Sequence, residues 1–172
     1  NWNDGFYTPD ATPEKGLATA RMMAMLTYRA PSDYEQKFGR NPQDGSDLFQ
    51  VESYLNYQGE KMVRRFDANS YVALTRAMDA HDVARGRGSF EEVLGKVEIP
   101  VLVVGIDTDL LYPAEEQREL AALLPNSEYA EIESIHGHDA FLIEFGQLNR
   151  ITKPFFTRRS LLRGYRNRTE VL

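Results

Sequence analysis

The sequence predicts an α/β fold, a helical half followed by a strand–helix–strand–helix half, and three observations carry that reading. The stretch "IPVLVVGI" (99–106) is a continuous apolar run rich in β-branched residues, the mark of a strand buried on both faces. "PAEEQRELAALL" (113–124) opens with proline and two acids, as helices do. "SEYAEIES" (127–134) then alternates well enough for a second strand. Strand, helix, strand in that order is the pattern of a parallel sheet. Two parallel strands need cover on both faces and neighbours on both edges, so the chain reads as part of a larger fold.

The remaining elements follow in chain order. Residues 1–12 are rich in Asn, Asp, Gly and Pro and read as loop. Thr12 suits an N-cap, Pro13 the first helical position and Glu14 the first turn, so a helix is expected through "EKGLATARMMAMLTYR". A short second helix covers 31–38 and ends at Gly39. "RNPQDGS" is loop, and Asp47 is placed to cap a third helix, where Leu48, Val51, Leu55, Met62 and Val63 recur at helical spacing. A fourth helix is expected around Ser70 to Asp79 and a short fifth over 89–96. After the second strand come two histidines, then a last helix over "DAFLIEFGQL". The expected division is 1–88, helical with a leading loop; 89–152, bearing the sheet; and 153–172, a basic tail.

Composition narrows the function classes. A length of 172 residues suits one domain or a large part of one. No apolar run approaches the ~20 residues a membrane-spanning helix requires, so no membrane partner is expected. The absence of cysteine excludes disulfides, thiol nucleophiles and cysteine metal sites, and fits a reducing compartment such as the cytoplasm. A net charge of −6 argues against a general nucleic-acid binder. The charge is uneven, because from Lys153 onward the chain carries +5 and the rest −11. Such a tail is a solvated extension or a docking strip for an acidic neighbour.

The chemistry centres on "GIDTDLLYP" after the first strand and "HGHDAF" after the second. Working groups in open α/β sheets collect at the carboxyl ends of strands. Asp107 or Asp109 would lie at one end and His136 or His138 at the next, close enough for an Asp–His couple. In such a couple the carboxylate sets the imidazole tautomer and stabilises the imidazolium. A metal site would need more ligands than His81 and this pair readily supply; a polar turn with exposed histidines is the remaining reading. Upstream, "LATARMMAMLTY" (17–28) holds a single charge, Arg21, in a helix apolar enough to be buried. A buried guanidinium needs a partner, either a carboxylate of this protein or one on a substrate. Tyr28 lies two turns along the same face.

The segments "FQVESYLNYQGEKMVRRFDANSYVALTRAMD", "HDVARGR", "VGIDTDLLYP" and "SIHGHDAFLIE" closely resemble the homoserine O-acetyltransferase family, from about residue 5 to residue 150. That family has the α/β-hydrolase fold and includes acyltransferases acting on serine or deacetylcephalosporin C. The resemblance implies the C-terminal part of an α/β-hydrolase fold with a helical lid. It makes Asp109, just before "LLYP", the triad acid and His138, in "GHD", the triad base. It places Arg21, Tyr28 and Asp139 against the amino-acid substrate, Asp139 receiving the ammonium. It implies acetyl-CoA as co-substrate with no further cofactor, and a homodimer formed through the lid helices. The family's nucleophile is a serine in a G-x-S-x-G elbow, which precedes acid and base in chain order. "DGSDL" and "RGSFEE" lack that setting, so the serine is expected on an N-terminal portion of the enzyme. Acyl transfer to homoserine is the activity implied, with other alcohols or ester hydrolysis as alternatives. At "NDGFY" the sequence departs from the family's Gly-Gly-Asp-Tyr run, and Tyr7 receives no role.

Overall fold

The computed structural model describes residues 2–169, with side chains as far as Arg158, and divides the chain into two units, Asn1–Ser89 and Phe90–Leu172.

The first unit is helical: two single 3-10 turns, then α1 (Glu14–Tyr28), α2 (Pro31–Lys37), α3 (Gln50–Val63) and α4 (Ala68–Asp79). Gly59 lets α1 and α3 approach closely, since a Cβ there would sit 3.0 Å from the carbonyl oxygen of Ala18. Leu17, Met62 and Ala68 form the buried centre, with Trp2, Tyr7, Val63, Phe66 and Tyr71 packed on it. The leading loop is tied to α4 by polar contacts. The Tyr7 hydroxyl donates to Asp67 Oδ1 at 2.5 Å and accepts the Asn69 amide at 3.0 Å, while Trp2 Nε1 donates to Asn69 Oδ1 at 2.7 Å. Asp67 also caps α4 by accepting the Ser70 amide at 2.9 Å. The Tyr7 hydrogen bond holds the Asp67 carboxyl below the usual carboxylate range, and the same bond holds the Tyr7 phenol above its own.

Three expectations fail in this unit. Pro13, not Thr12, occupies the N-cap of α1, and the Thr12 hydroxyl turns to Glu14 Oε1 at 3.2 Å. Asp47 does not cap α3. Backbone bonds from Gln43 to Leu48 and from Gln50 to Asn41 hold that stretch as a loop, and Glu52 accepts the Phe49 amide at 2.7 Å at the helix start. Within this unit α1 is not buried all round: Leu17 and Met25 are inside, whereas Met23 is 65% and Leu26 50% exposed. Packing by α3 covers one side of α1, and composition alone does not reveal how many sides a neighbour covers.

The second unit contains α5 (Phe90–Leu94), β1 (Val101–Ile106), α6 (Ala114–Leu123), β2 (Ser127–Ile132), a 3-10 segment (Gly137–Leu142) and α7 (Phe145–Thr169). β1 and β2 pair in parallel, from Val101 opposite Ser127 to Ile106 opposite Ile132. On one face Val103 packs with Leu94, Ala121 and Leu124, joined by Val101 and Tyr129. On the other, Ile106 and Ile132 meet Ala140, with Val104, Leu148 and Ile151 against them. Alternate strand residues therefore serve opposite layers, as the uninterrupted apolar run requires. Ile132 is 0% exposed, and burying such a side chain stabilises the unit by about 1.5–3 kcal/mol.

Gly105 marks a close crossing on the first face, since a Cβ there would lie 2.5 Å from the Tyr129 hydroxyl. That phenol hydrogen-bonds to Glu131, which also pairs with Arg118 at 2.5 Å. Burial and the Glu131 hydrogen bond push the Tyr129 phenol up to about 12.

The last helix differs from its expected span. Residues 137–142 form a 3-10 segment, closed where the amides of Ile143 and Glu144 both donate to the Ala140 carbonyl at 3.0 and 2.7 Å. α7 then runs unbroken past residue 153, with Pro154 inside it, so the expected start of a separate tail falls within a helix. Arg158 pairs with Glu128 at 2.5 Å. The side chains of Arg159, Arg163, Arg166, Arg168 and Glu170, on which the basic-tail reading rests, lie outside the described residues. Among the described residues no helix is long and apolar enough to cross a membrane.

Candidate functional site

Parallel pairing puts the carboxyl ends of β1 and β2 side by side, so the loops after Ile106 and Ile132 leave the sheet as neighbours. Asp109 lies on the first and His138 on the second. Asp109 Oδ1 accepts the amides of Leu111 and Tyr112 at 2.8 and 2.9 Å, which fixes the carboxylate on its own loop. Its other oxygen, Oδ2, lies 2.8 Å from His138 Nδ1. Asp109 is only 8% exposed and the imidazole is partly buried. A carboxylate on Nδ1 places that nitrogen's proton toward the acid and makes Nε2 the nitrogen that exchanges protons. Tyr112 and Phe141 flank the imidazole, at 5.3 and 5.5 Å between ring centroids. A cleft of about 280 Å³ opens here, lined among others by Asp109, Tyr112, Gln117, Ile132, His138 and Phe141.

The other acid and the other histidine of the two motifs are occupied differently. Asp107 Oδ1 accepts the Ser134 amide at 2.9 Å, so this carboxylate binds the neighbouring loop's backbone. The His136 amide donates to Ser134 Oγ at 3.2 Å. Asp139, half-buried, follows His138 in the first turn of the 3-10 segment. Among the described residues no cluster of three or more His, Cys, Asp or Glu could hold a metal ion.

Arg21 and Tyr28 belong to the first unit, and there they meet. The guanidinium carbon lies 5.4 Å from the centroid of the Tyr28 ring, the contact expected of residues two turns apart on α1. Among the described residues no carboxylate forms an ion pair with Arg21. The residues singled out in the sequence thus fall into two groups: Asp109, His138 and Asp139 in the second unit, Arg21 with Tyr28 in the first. Tyr112 and Phe141 were not singled out. "LLYP" and "DAFL" contain them, yet nothing in their spacing says that both rings face one imidazole.

No family model matches the chain. Individual proteins do. It is 52% identical over 160 residues to the homoserine O-acetyltransferase of Chlorobium chlorochromatii (strain CaD3), covering 92% of this chain and 45% of that protein. Among solved structures, homoserine O-acetyltransferase from Bacillus anthracis superposes with a TM-score of 0.71 at 33% identity, over 81% of this chain and 40% of that one. Esterase E22 superposes with a TM-score of 0.75 at 22% identity, over 89% and 45% of the two chains, a likeness of fold alone. The chain spans less than half the length of the curated relatives it matches. Its architecture is part of the α/β-hydrolase fold.

Proposed function

We propose, from the premise that this chain is homologous to homoserine O-acetyltransferases over about nine tenths of its length, that it serves acetyl transfer to the side-chain hydroxyl of homoserine. Asp109 and His138 act in this reading as acid and base of a Ser-His-Asp triad. The 2.8 Å contact between Asp109 Oδ2 and His138 Nδ1 is the observation that carries it.

The steps are those of acyl transfer through a covalent intermediate. A serine hydroxyl attacks the thioester carbonyl of acetyl-CoA and its proton passes to His138. The thiolate of CoA departs with that proton. The homoserine hydroxyl then gives its proton to the same imidazole and attacks the acyl-serine. The imidazolium returns a proton to the departing serine oxygen, releasing O-acetylhomoserine and restoring both groups. The serine comes from polypeptide outside these 172 residues. What supports this is that no serine here has G-x-S-x-G surroundings. No cofactor enters the steps, and acetyl-CoA is a co-substrate.

Arg21, with Tyr28 beside it, receives the substrate carboxylate, and Asp139 the ammonium. The Tyr28 ring against the guanidinium supports the first assignment, and the position of Asp139 next to His138 supports the second. A second copy of the chain is the partner proposed for the helical unit, supported by exposed Met23 and Leu26 on α1 and Leu74 and Met78 on α4. The proposed place of work is the cytoplasm, a reading that absent cysteine favours.

The test uses the intact protein with acetyl-CoA and homoserine. O-acetylhomoserine should form, and His138→Ala should lower its rate by on the order of 10⁴-fold or more. Undiminished turnover in the variant would overturn the assignment of the base. Release of free acetate without O-acetylhomoserine would overturn transfer in favour of hydrolysis.

A further inference from the structure

The couple between Asp109 and His138 depends on how two separate loops are held together, and the contacts there are unevenly placed. Asp107, Thr108 and Asp109 are consecutive, and each grips a different point of residues 134–138. Asp107 Oδ1 accepts the Ser134 amide at 2.9 Å. Asp109 Oδ2 meets the His138 ring at 2.8 Å. Between them the Thr108 hydroxyl makes two bonds at once: it donates to the Ser134 carbonyl at 2.5 Å and accepts the Gly137 amide at 3.1 Å. A hydroxyl is suited to this use, because one proton and free lone pairs let it close on a carbonyl and an amide simultaneously.

The location of these bonds decides their significance. Gly137 directly precedes His138 and has φ +64°, a backbone turn that side chains rarely tolerate. Thr108 thus holds the amide at the pivot from which the imidazole is swung toward Asp109. From the far side, Glu144 accepts the Ser134 hydroxyl at 3.0 Å and Gln147 donates to the Glu133 carbonyl at 2.7 Å. These secure the beginning of the loop near Ser134. Of the hydrogen bonds described, the one from Gly137 to Thr108 is the one that ties the pivot itself to the acid's loop.

We propose that Thr108 is a positioning residue for the proton-transfer couple, its hydroxyl setting the reach of His138 to Asp109 by bolting the Ser134 carbonyl and the Gly137 amide, the two ends of the turn that leads into His138, to the acid's loop. This rests on the triad reading given above. Thr108 touches neither substrate nor reacting atoms in this role; it acts through the imidazole it places. Reacting groups displaced by about 1 Å lose on the order of 10²-fold in rate, so a missing bolt should be felt in turnover and little in substrate affinity.

The experiment compares Thr108→Val, which keeps the shape and removes the hydroxyl, with Thr108→Ser, which keeps the hydroxyl. Both are made in the intact protein, alongside His138→Ala. Thr108→Val should lower kcat by about 10- to 100-fold with KM for homoserine within about twofold. Thr108→Ser should restore kcat to within about threefold of wild type. The downfield Nδ1 proton resonance of His138 should be present in wild type and Thr108→Ser and broadened or lost in Thr108→Val. Should Thr108→Val not fold, Thr108→Ala takes its place in the same comparison. The proposal is overturned if the hydroxyl-free variant keeps wild-type kcat and resonance while His138→Ala is inactive. It is equally overturned if Thr108→Ser is as impaired as the hydroxyl-free variant. If His138→Ala itself stays active, the triad reading falls first and the role of Thr108 with it.

Discussion

The two units hold their candidate residues in different ways. In the second, Asp109 and His138 are placed by backbone: two parallel strands deliver their loops side by side, and the buried Asp109 and half-buried Thr108 bond to main-chain groups of the two loops. In the first, Arg21 and Tyr28 share one helix and touch through side chains alone, and Arg21 forms no ion pair among the described residues. In the roles proposed above, the contrast teaches that proton transfer between fixed partners calls for a rigid frame, whereas a group that receives a ligand's charge is better left adjustable. In the proposed role, aromatic contact would restrain the Arg21 guanidinium while leaving its in-plane donors for a planar carboxylate.

This contrast can be broken most forcefully in the rigid unit. Asp109→Asn keeps the shape but removes the charge that sets the imidazole tautomer, and acetyl transfer by the intact protein should fall on the order of 10⁴-fold in kcat. A fall below tenfold would mean that the fixed couple is not where proton chemistry occurs. A smaller effect is expected in the adjustable unit. Arg21→Ala should raise KM for homoserine by about 10- to 100-fold and change kcat less, the value of a charged pair to a carboxylate. Steady-state kinetics with varied homoserine would check this, and a pure kcat effect would remove the contrast. The smallest effect concerns the Tyr7–Asp67 contact that fastens the leading loop. Because that contact lowers the folded-state pKa of Asp67, its stabilisation is present above the ordinary carboxylate pKa of about 3.9 and disappears as pH falls through the lowered value. Asp67→Asn should therefore melt below wild type at pH 7, and the difference in Tm should narrow toward pH 3. A constant difference across that range would assign the loss to packing.

Much of the second unit was legible in its residues. The β-branched run at 99–106 announced a strand covered on both faces, and proline with acids at 113–116 announced the helix after it. Gly105 is a signal of a different kind: a glycine inside a strand marks close approach, yet only the folded pair identifies the Tyr129 hydroxyl as what approaches. The histidine turn was harder. "DAFLIEFGQL" has the composition of a helix, and the 3-10 segment with its break near Ile143 arises from the Ala140 carbonyl serving two amides, a local geometry without a composition. In the first unit the apolar count of α1 suggested burial on every side. Burial depends on how many neighbours a helix has, and α3 covers one side of it here. Thr108 gives no signal in the sequence for a related reason: a single hydroxyl has no periodicity, and its contacts depend on what the second strand brings opposite it.

The three-residue grip of Asp107, Thr108 and Asp109 on one loop has a consequence for how this segment tolerates change. Each handhold is defined by its distance along the chain from the end of β1, so length carries as much information as identity. One residue added or deleted after Ile106 would move all three out of phase with Ser134, Gly137 and His138 together. Nearby Leu110 faces solvent and has no share in that grip. The segment should therefore accept varied chemistry at position 110 while refusing insertions and deletions on either side of Thr108.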